Sequence, residues 1–337
     1  MPLLFALLAC ANHAHTAETA ASVPRIGYAG PIIDVHLHTA PPDAAVGQPN
    51  PVTGRPAAAS MLALRDATLR ECGKYNIVRA VLSGPSEGID LWMQADPQLL
   101  IPAVMFLKDS TEPVLSPGEL RRQFQSGKAT AIGEIISQYV GLRPDDPVLE
   151  PYWRLAVELD VPVMIHMGTS FPGTAYAGYP AFRLGLGNPL LLEEVLVRHP
   201  RLRVWIGHGG LPWREETLAL MQQYPQVYLD VATIDWIGGT AGRADFHAFL
   251  RQAIARGLGK RIMFGSDQMA WPDAIGLAIE GVDSADFLTP EQKRDIFYGN
   301  AVRFFRLKEP LNLDLSSAAA RPAAPAALVE SPGSPQG

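Results

Sequence analysis

Short apolar runs rich in β-branched residues recur along the chain, each followed by a turn and then by an amphipathic stretch. The runs are IIDVHLH (32–38), RAVLSG (79–84), LIPAVMF (100–106), TAIGEI (130–135), VPVMIHMG (161–168), RVWIGHGG (203–210), VYLDVA (227–232) and IMFGSDQ (262–268). Near-continuous Val, Ile and Leu, in place of strict polar alternation, is expected of parallel strands buried on both faces. Residues 60–75, 116–127, 148–160, 189–199, 213–224 and 243–257 read as helices, many opening with Pro, Ser or Asp near their starts. Strands alternating with helices eight times predict an α/β fold closed as a (β/α)8 TIM barrel over 30–306, with a doubly wound open sheet as the alternative.

Two connections exceed ordinary loop lengths and are rich in Pro and Gly: 39–59 after the first strand and 169–188 after the fifth. Loops that follow strands line the active face of a barrel, so both are candidate lids or substrate walls, the alternative being plain insertions. Residues 1–22 join a short apolar run to a polar stretch, resembling the end of a secretory signal. LLAC resembles a bacterial lipobox with Cys10 as the lipidated residue. The run lacks a positive flank and is short, so the segment reads equally as a disordered N-terminus, and export and cytoplasmic residence stay even. It is too short to span a bilayer as a helix. Residues 316–337 read as a disordered Ala/Pro-rich tail.

With 47% apolar and 18% charged residues, the 337-residue chain can bury a large core. A net charge of -6 and the lack of a Lys/Arg cluster argue against nucleic acid or an anionic membrane as partner and favour a small-molecule substrate. Cys10 and Cys72, the two cysteines, build no disulfide framework.

The ionisable residues change the picture most. In DVHLH the two histidines alternate with Leu37, and side chains on a strand switch face at each residue, so His36 and His38 point the same way. His166, His208 and Asp267 each stand where an apolar run gives way to a Gly- or Pro-containing loop. Half of the eight histidines thus fall in buried strand-end slots of one barrel face, where burial is otherwise costly. Neutral imidazoles and a carboxylate gathered there are ligands for Zn²⁺ or a similar divalent ion. The remaining four, His13, His15, His199 and His247, read as surface residues. Glu134 ends TAIGE, and it bridges a second ion or orients a ligand histidine, a plain structural ion pair being the remaining alternative. No lysine is available at that strand end, since Lys128 precedes the run. Asp230 in YLDVA supports an outer-ring or substrate role about as well as a structural one.

The order D-x-H-x-H, His, His, Asp on strands one, five, six and eight resembles the amidohydrolase superfamily. IIDVHLH, the HGG after strand six, FGSD on strand eight and LTPEQKRDIFYGNAVRFF (288–305) resemble the group that includes the aminocarboxymuconate semialdehyde decarboxylase-like proteins, over about 30–306. The resemblance implies that His36, His38, His166 and Asp267 are metal ligands. In single-metal members the residue matching His208 handles protons. In two-metal members it binds the second ion, and the residue matching Glu134 or a modified lysine bridges. Glu134 is similar to the carboxylate bridge of the TatD-type deoxyribonucleases.

Hydrolysis of an amide, lactone or other ester by metal-activated water is the reaction such a centre supports best, with Asp267 and His208 as catalytic groups and one or two ions, zinc foremost. The rival is non-oxidative decarboxylation of an aromatic or muconate-like acid, which needs a cationic anchor such as Arg143, Arg183, Arg214 or Arg243. A catalytically inactive binding barrel predicts a missing ligand, and none is missing. Tyr139, Trp213, Trp236 and Trp271 read either as the wall of a pocket for a ring-bearing substrate or as loop anchors. Analogy with this fold suggests a homodimer.

Overall fold

Eight strands follow one another in chain order around a single sheet, and every neighbouring pair is parallel. They are β1 (Ile32–His38), β2 (Ile77–Gly84), β3 (Leu100–Val104), β4 (Ala131–Ile135), β5 (Val163–Ile165), β6 (Val204–Ile206), β7 (Val227–Asp230) and β8 (Ile262–Met263). The computed structural model describes residues 24–108 and 110–308. The 1–22 segment with Cys10, His13 and His15, and the 316–337 tail, lie outside the described residues.

The sheet closes. Val35 N donates to Phe264 O at 2.9 Å, Asp267 N to His36 O at 2.9 Å and His38 N to Gln268 O at 3.0 Å, while Leu37 pairs in parallel with Gln268. These bonds join the last strand to the first, which settles the barrel over the open sheet.

Each strand is followed by a helix: α1 (Met61–Lys74), α2 (Ser86–Met93), α3 (Pro117–Gln125), α4 (Glu150–Leu159), α5 (Glu193–Arg198), α6 (Arg214–Gln223), α7 (Gly239–Ala255) and α8 (Ala274–Asp283). Start signals in the sequence act as expected. Ser60 caps α1 by accepting from Ala63 N, and Ser116 with Glu119 forms a reciprocal capping box ahead of Pro117 in α3. Two helices escape the periodicity. α2 is short and follows its strand at once, and α8 buries eight of its ten residues, so it has no polar face for a helical pattern to reveal.

The larger apolar cluster lies between strands and helices. A second fills the barrel with Ile33, Val35, Val81, Met164, Trp205 and Met263, and Tyr298 and Phe304 from the C-terminal helical turns pack against it. Two surface expectations need correction. His199 is 8% exposed, because the turn after α5 brings it to the start of α4, where its Nε2 lies 3.0 Å from Glu150 Oε1. His247 is half-buried, its Nε2 3.0 Å from Gly281 O beside α8.

Register shifts decide which side chains reach the site. Between Asp34 and Leu37 the β1 chain advances three residues while β2 advances two, from Ala80 to Leu82. Ile33 and Val35 point into the barrel, so unbroken alternation sends His36 outward; the extra residue turns His36 and His38 inward instead. β4 repeats the device, since Ile132 pairs with Val163 and Ile135 with Ile165. The irregular residues there are Gly133 and Glu134. Gly133 adopts φ 149°, and a Cβ on it would lie 2.6 Å from Met164 Cβ, so no larger residue fits without displacement. Gly133→Ala is expected to destabilise the protein by roughly 1–3 kcal/mol in urea unfolding; a midpoint equal to wild type contradicts this account of the bulge.

Candidate metal centre

At the end of the barrel where the strands give way to their following loops, the ionisable side chains named from the sequence meet. His36 Nε2 is 3.0 Å from His38 Nε2 and 3.5 Å from Asp267 Oδ1, and His38 Nε2 is 3.1 Å from the same oxygen. Across the pocket, His166 Nδ1 is 2.9 Å from Glu134 Oε1 and 3.0 Å from His208 Nε2. Glu134 joins the halves, with Oε1 3.3 Å from His208 Nε2 and 3.9 Å from His36 Nε2, and Oε2 3.7 Å from His38 Nε2. His36, His38, Glu134 and His166 are buried, and His208 and Asp267 nearly so.

The outward nitrogens decide how the inward ones are protonated. His36 Nδ1 lies 3.0 Å from Asp230 Oδ2, His166 Nε2 3.1 Å from Thr169 O, and His208 Nδ1 3.2 Å from Ala232 O. All three partners are acceptors, so each outward nitrogen carries the hydrogen, and a neutral ring then turns a lone pair inward. His36 Nε2, His166 Nδ1 and His208 Nε2 therefore turn lone pairs toward the oxygens of Glu134, and the last two toward each other. Acceptors at these distances repel unless a cation or additional protons lie among them. The donor set fits a divalent ion: the atoms of His36, His38 and Asp267, and those of His36, Glu134 and His208, form two groups, each within 4.8 Å.

The charges tell the same story. Burial pushes the His36 imidazolium down, but Asp230, Asp267 and Glu134 outweigh it and carry the group up to about 10. Burial also disfavours the Glu134 carboxylate, yet His166, His208 and His36 hold it well below the usual range, and His36, His38 and His208 do the same for Asp267. His208 is raised despite burial, by its bond to Glu134 and the charge of Asp267. The pocket is built for positive charge.

An outer ring fastens these groups. Asp34, the first residue of D-x-H-x-H, is buried, and its Oδ1 accepts from His36 N at 3.0 Å and Ser266 N at 3.1 Å, tying β1 to the chain after β8. Burial raises its carboxyl to about 7. Thr233 Oγ1 donates to Asp267 Oδ2. Sequence reasoning assigned no role to Thr233 or to the carbonyls of Thr169 and Ala232, because the residue types carry no metal signature; only Asp34 had a signal, its place in the motif.

The rim divides the aromatic candidates. Tyr139 stands edge-on to His166 with ring centroids 5.0 Å apart, donates to Ser170 Oγ at 2.7 Å, and meets Phe182 of the 169–188 loop at 5.3 Å. That loop therefore forms a wall beside the centre. Trp271 and Trp236 are anchors: their indole N–H groups donate to Gln48 O and Ser266 O. Trp213 is half-buried at the head of α6. The 39–59 loop is pinned further by Asn50 and Thr53, which donate to Asp273. The four arginines are committed elsewhere. Arg143 pairs with Asp145 at 2.8 Å and Arg214 with Asp245 at 3.3 Å. Arg183 donates to Pro180 O and Phe182 O, and Arg243 to Ser284 Oγ.

A search of curated proteins finds no sequence match. Among solved structures, the chain is similar to a probable 2-pyrone-4,6-dicarboxylic acid hydrolase from Acinetobacter baumannii with citric acid bound (14% identity, TM-score 0.58, covering 82% of this chain and 99% of that one). It is similar to a 5-carboxyvanillate decarboxylase from Novosphingobium aromaticivorans complexed with manganese (17%, 0.56, 83% and 97%). It is also similar to an amidohydrolase from Burkholderia multivorans with bound zinc (17%, 0.55, 83% and 100%). These likenesses show the barrel fold. The family model described as amidohydrolase matches residues 33–307, which is most of the chain. The chain belongs to the amidohydrolase family of metal-dependent enzymes.

Proposed function

We propose that this protein is a metal-dependent hydrolase of a small amide, lactone or other ester, with His36, His38, His166 and Asp267 as metal ligands and Glu134 and His208 completing the centre. The observation that carries the reading is the inward convergence of imidazole nitrogens on the Glu134 and Asp267 carboxylates. Zinc is the ion proposed, because neutral imidazole nitrogen suits it; the similar structures carry zinc in one case and manganese in another.

A bound ion supplies Lewis acidity and lowers the pKa of water from 15.7 to about 7. Asp267 is held ionised beside His38, and Thr233 orients it, so it accepts a proton from the attacking water and returns it to the leaving group. His208, whose Nδ1 donates to Ala232 O, either ligates through its bare Nε2 or, as the imidazolium that its raised pKa favours, donates Nε2–H to the developing oxyanion. Tyr139 and Phe182 shield one side of the pocket.

Decarboxylation is the competing reading, favoured by the likeness to the carboxyvanillate enzyme. Hydrolysis is preferred because the four arginines named from the sequence as anchors, Arg143, Arg183, Arg214 and Arg243, are each engaged within their own surroundings. Carbon dioxide release, measured against ester and lactone hydrolysis on one preparation, separates the two. Good turnover of a substrate without a carboxyl group is expected; release of carbon dioxide with no hydrolysis overturns the preference.

His36→Ala is expected to cut activity more than about 100-fold and to lower bound metal, with circular dichroism unchanged. Retained activity contradicts the site. Elemental analysis of the wild type reads the ion count: one equivalent assigns His208 to proton handling, two assign His208 and Glu134 as ligands.

Metal uptake is expected to strengthen with pH. His36 is raised from 6.5 to about 10, so below that value a proton occupies the ring and must leave before metal binds. The same shift stabilises metal-stripped protein fully below pH 6.5 and fades as pH rises toward 10. Calorimetric zinc titrations should show proton release and tighter binding at pH 8 than at pH 6; equal affinity at both contradicts the electrostatic account.

A further inference from the structure

We propose that Asp230 is the positioning residue for both histidines that face it, fixing which nitrogen His36 presents and holding the turn that aims His208. The proposal rests on the reading that these histidines belong to a metal centre, and it deepens that reading.

Asp230 ends β7 and is fully buried. Its Oδ2 lies 3.0 Å from His36 Nδ1, while Oδ1 accepts from His208 N at 3.0 Å and from Ala232 N at 3.1 Å. His208 sits at φ 58°, in the left-handed region that a residue with a Cβ seldom adopts. Asp230 reaches it twice. One bond holds the His208 backbone N–H, and the other holds the N–H of Ala232, whose carbonyl receives the His208 ring. One carboxylate on strand seven thus locks a histidine of strand one and a histidine after strand six.

The chemistry needs both oxygens. In Asp230→Asn the side chain keeps its shape but has a single acceptor oxygen. If that oxygen stays on the two backbone N–H groups, the amide NH₂ faces His36 Nδ1 and forces the ring hydrogen onto Nε2, where metal must bind. If the amide flips, its NH₂ opposes two N–H donors and the turn at His208 loses its hold. Either outcome weakens the centre without removing a ligand.

Wild type and Asp230→Asn are purified with metal, stripped, and titrated with Zn²⁺ against a competing chelator, with thermal melts of the stripped and loaded forms. The expected result is a loss of zinc affinity of about 10–100-fold in the variant, with a smaller zinc-induced gain in melting temperature. Wild-type zinc affinity in a folded variant overturns the proposal, as does a melting temperature lowered alike with and without zinc, the mark of a merely structural carboxylate. A wild type that takes up no zinc instead overturns the metal reading itself. A second measurement does not depend on the variant folding. Zinc-loaded wild type is expected to show a downfield, slowly exchanging His36 Nδ1 proton by NMR, identified by its loss in His36→Gln; an exposed, rapidly exchanging Nδ1 proton there overturns the proposal.

Discussion

Imidazole nitrogens and carboxylate oxygens that can only accept are held face to face in a buried pocket, and much of the active end of the barrel is arranged around that repulsion. Asp230, Thr169 O and Ala232 O each take the hydrogen of one ring and leave its other nitrogen bare toward the centre. Glu134 then adds a carboxylate among those lone pairs. In a site screened from water, such an arrangement is stable only with positive charge inside it. That is why the pocket's carboxylates are pulled down and His36 is pushed up. A divalent ion would relieve the same repulsion, which is what the proposed metal centre rests on.

Placing six donors at one point is a problem of backbone geometry before it is one of chemistry. A regular strand turns residues of one parity inward, so with Ile33 and Val35 in the core an unbroken β1 would aim position 37, and not His36 and His38, at the centre. β1 and β4 each insert a residue where the barrel core ends and the site begins, so Ile33 and Val35 remain in the core while His36 and His38 still face the centre. β5, β6 and β8 reach the same end by leaving the ladder early, and His166, His208 and Asp267 come from the residues just beyond. The seam between β8 and β1 brings the last of these to the first, through Asp267 N on His36 O and Asp34 Oδ1 on Ser266 N. The contacts that close the barrel also bring the site together.

Around this centre the two long loops differ in kind. The 39–59 loop is fastened to the chain after β8 by Trp271, Asn50 and Thr53. The 169–188 loop instead lays Phe182 against Tyr139, which stands edge-on to His166. Aromatic side chains read as one class from sequence therefore split into anchors and a wall according to whether their polar group is satisfied by a loop carbonyl or by a neighbour beside the centre.

The sequence by itself determined the barrel and named the ionisable side chains that meet at its end. Apolar runs long enough to be buried on both faces, alternating eight times with amphipathic stretches, leave few other folds, and histidines at strand ends have few other uses. Residue type also marked Glu134 and Asp267. What the local pattern hid was whatever depends on partners distant in the chain. α8 is buried all round and so shows no amphipathic face, and His199 is covered because α4 packs beside it. The inward turn of His36 comes from a bulge that simple alternation does not show, and the state of its ring comes from Asp230, 194 residues away. Only the closed barrel brings that carboxylate to that imidazole, and a tautomer is set by its neighbour in space, which no run of adjacent residues records.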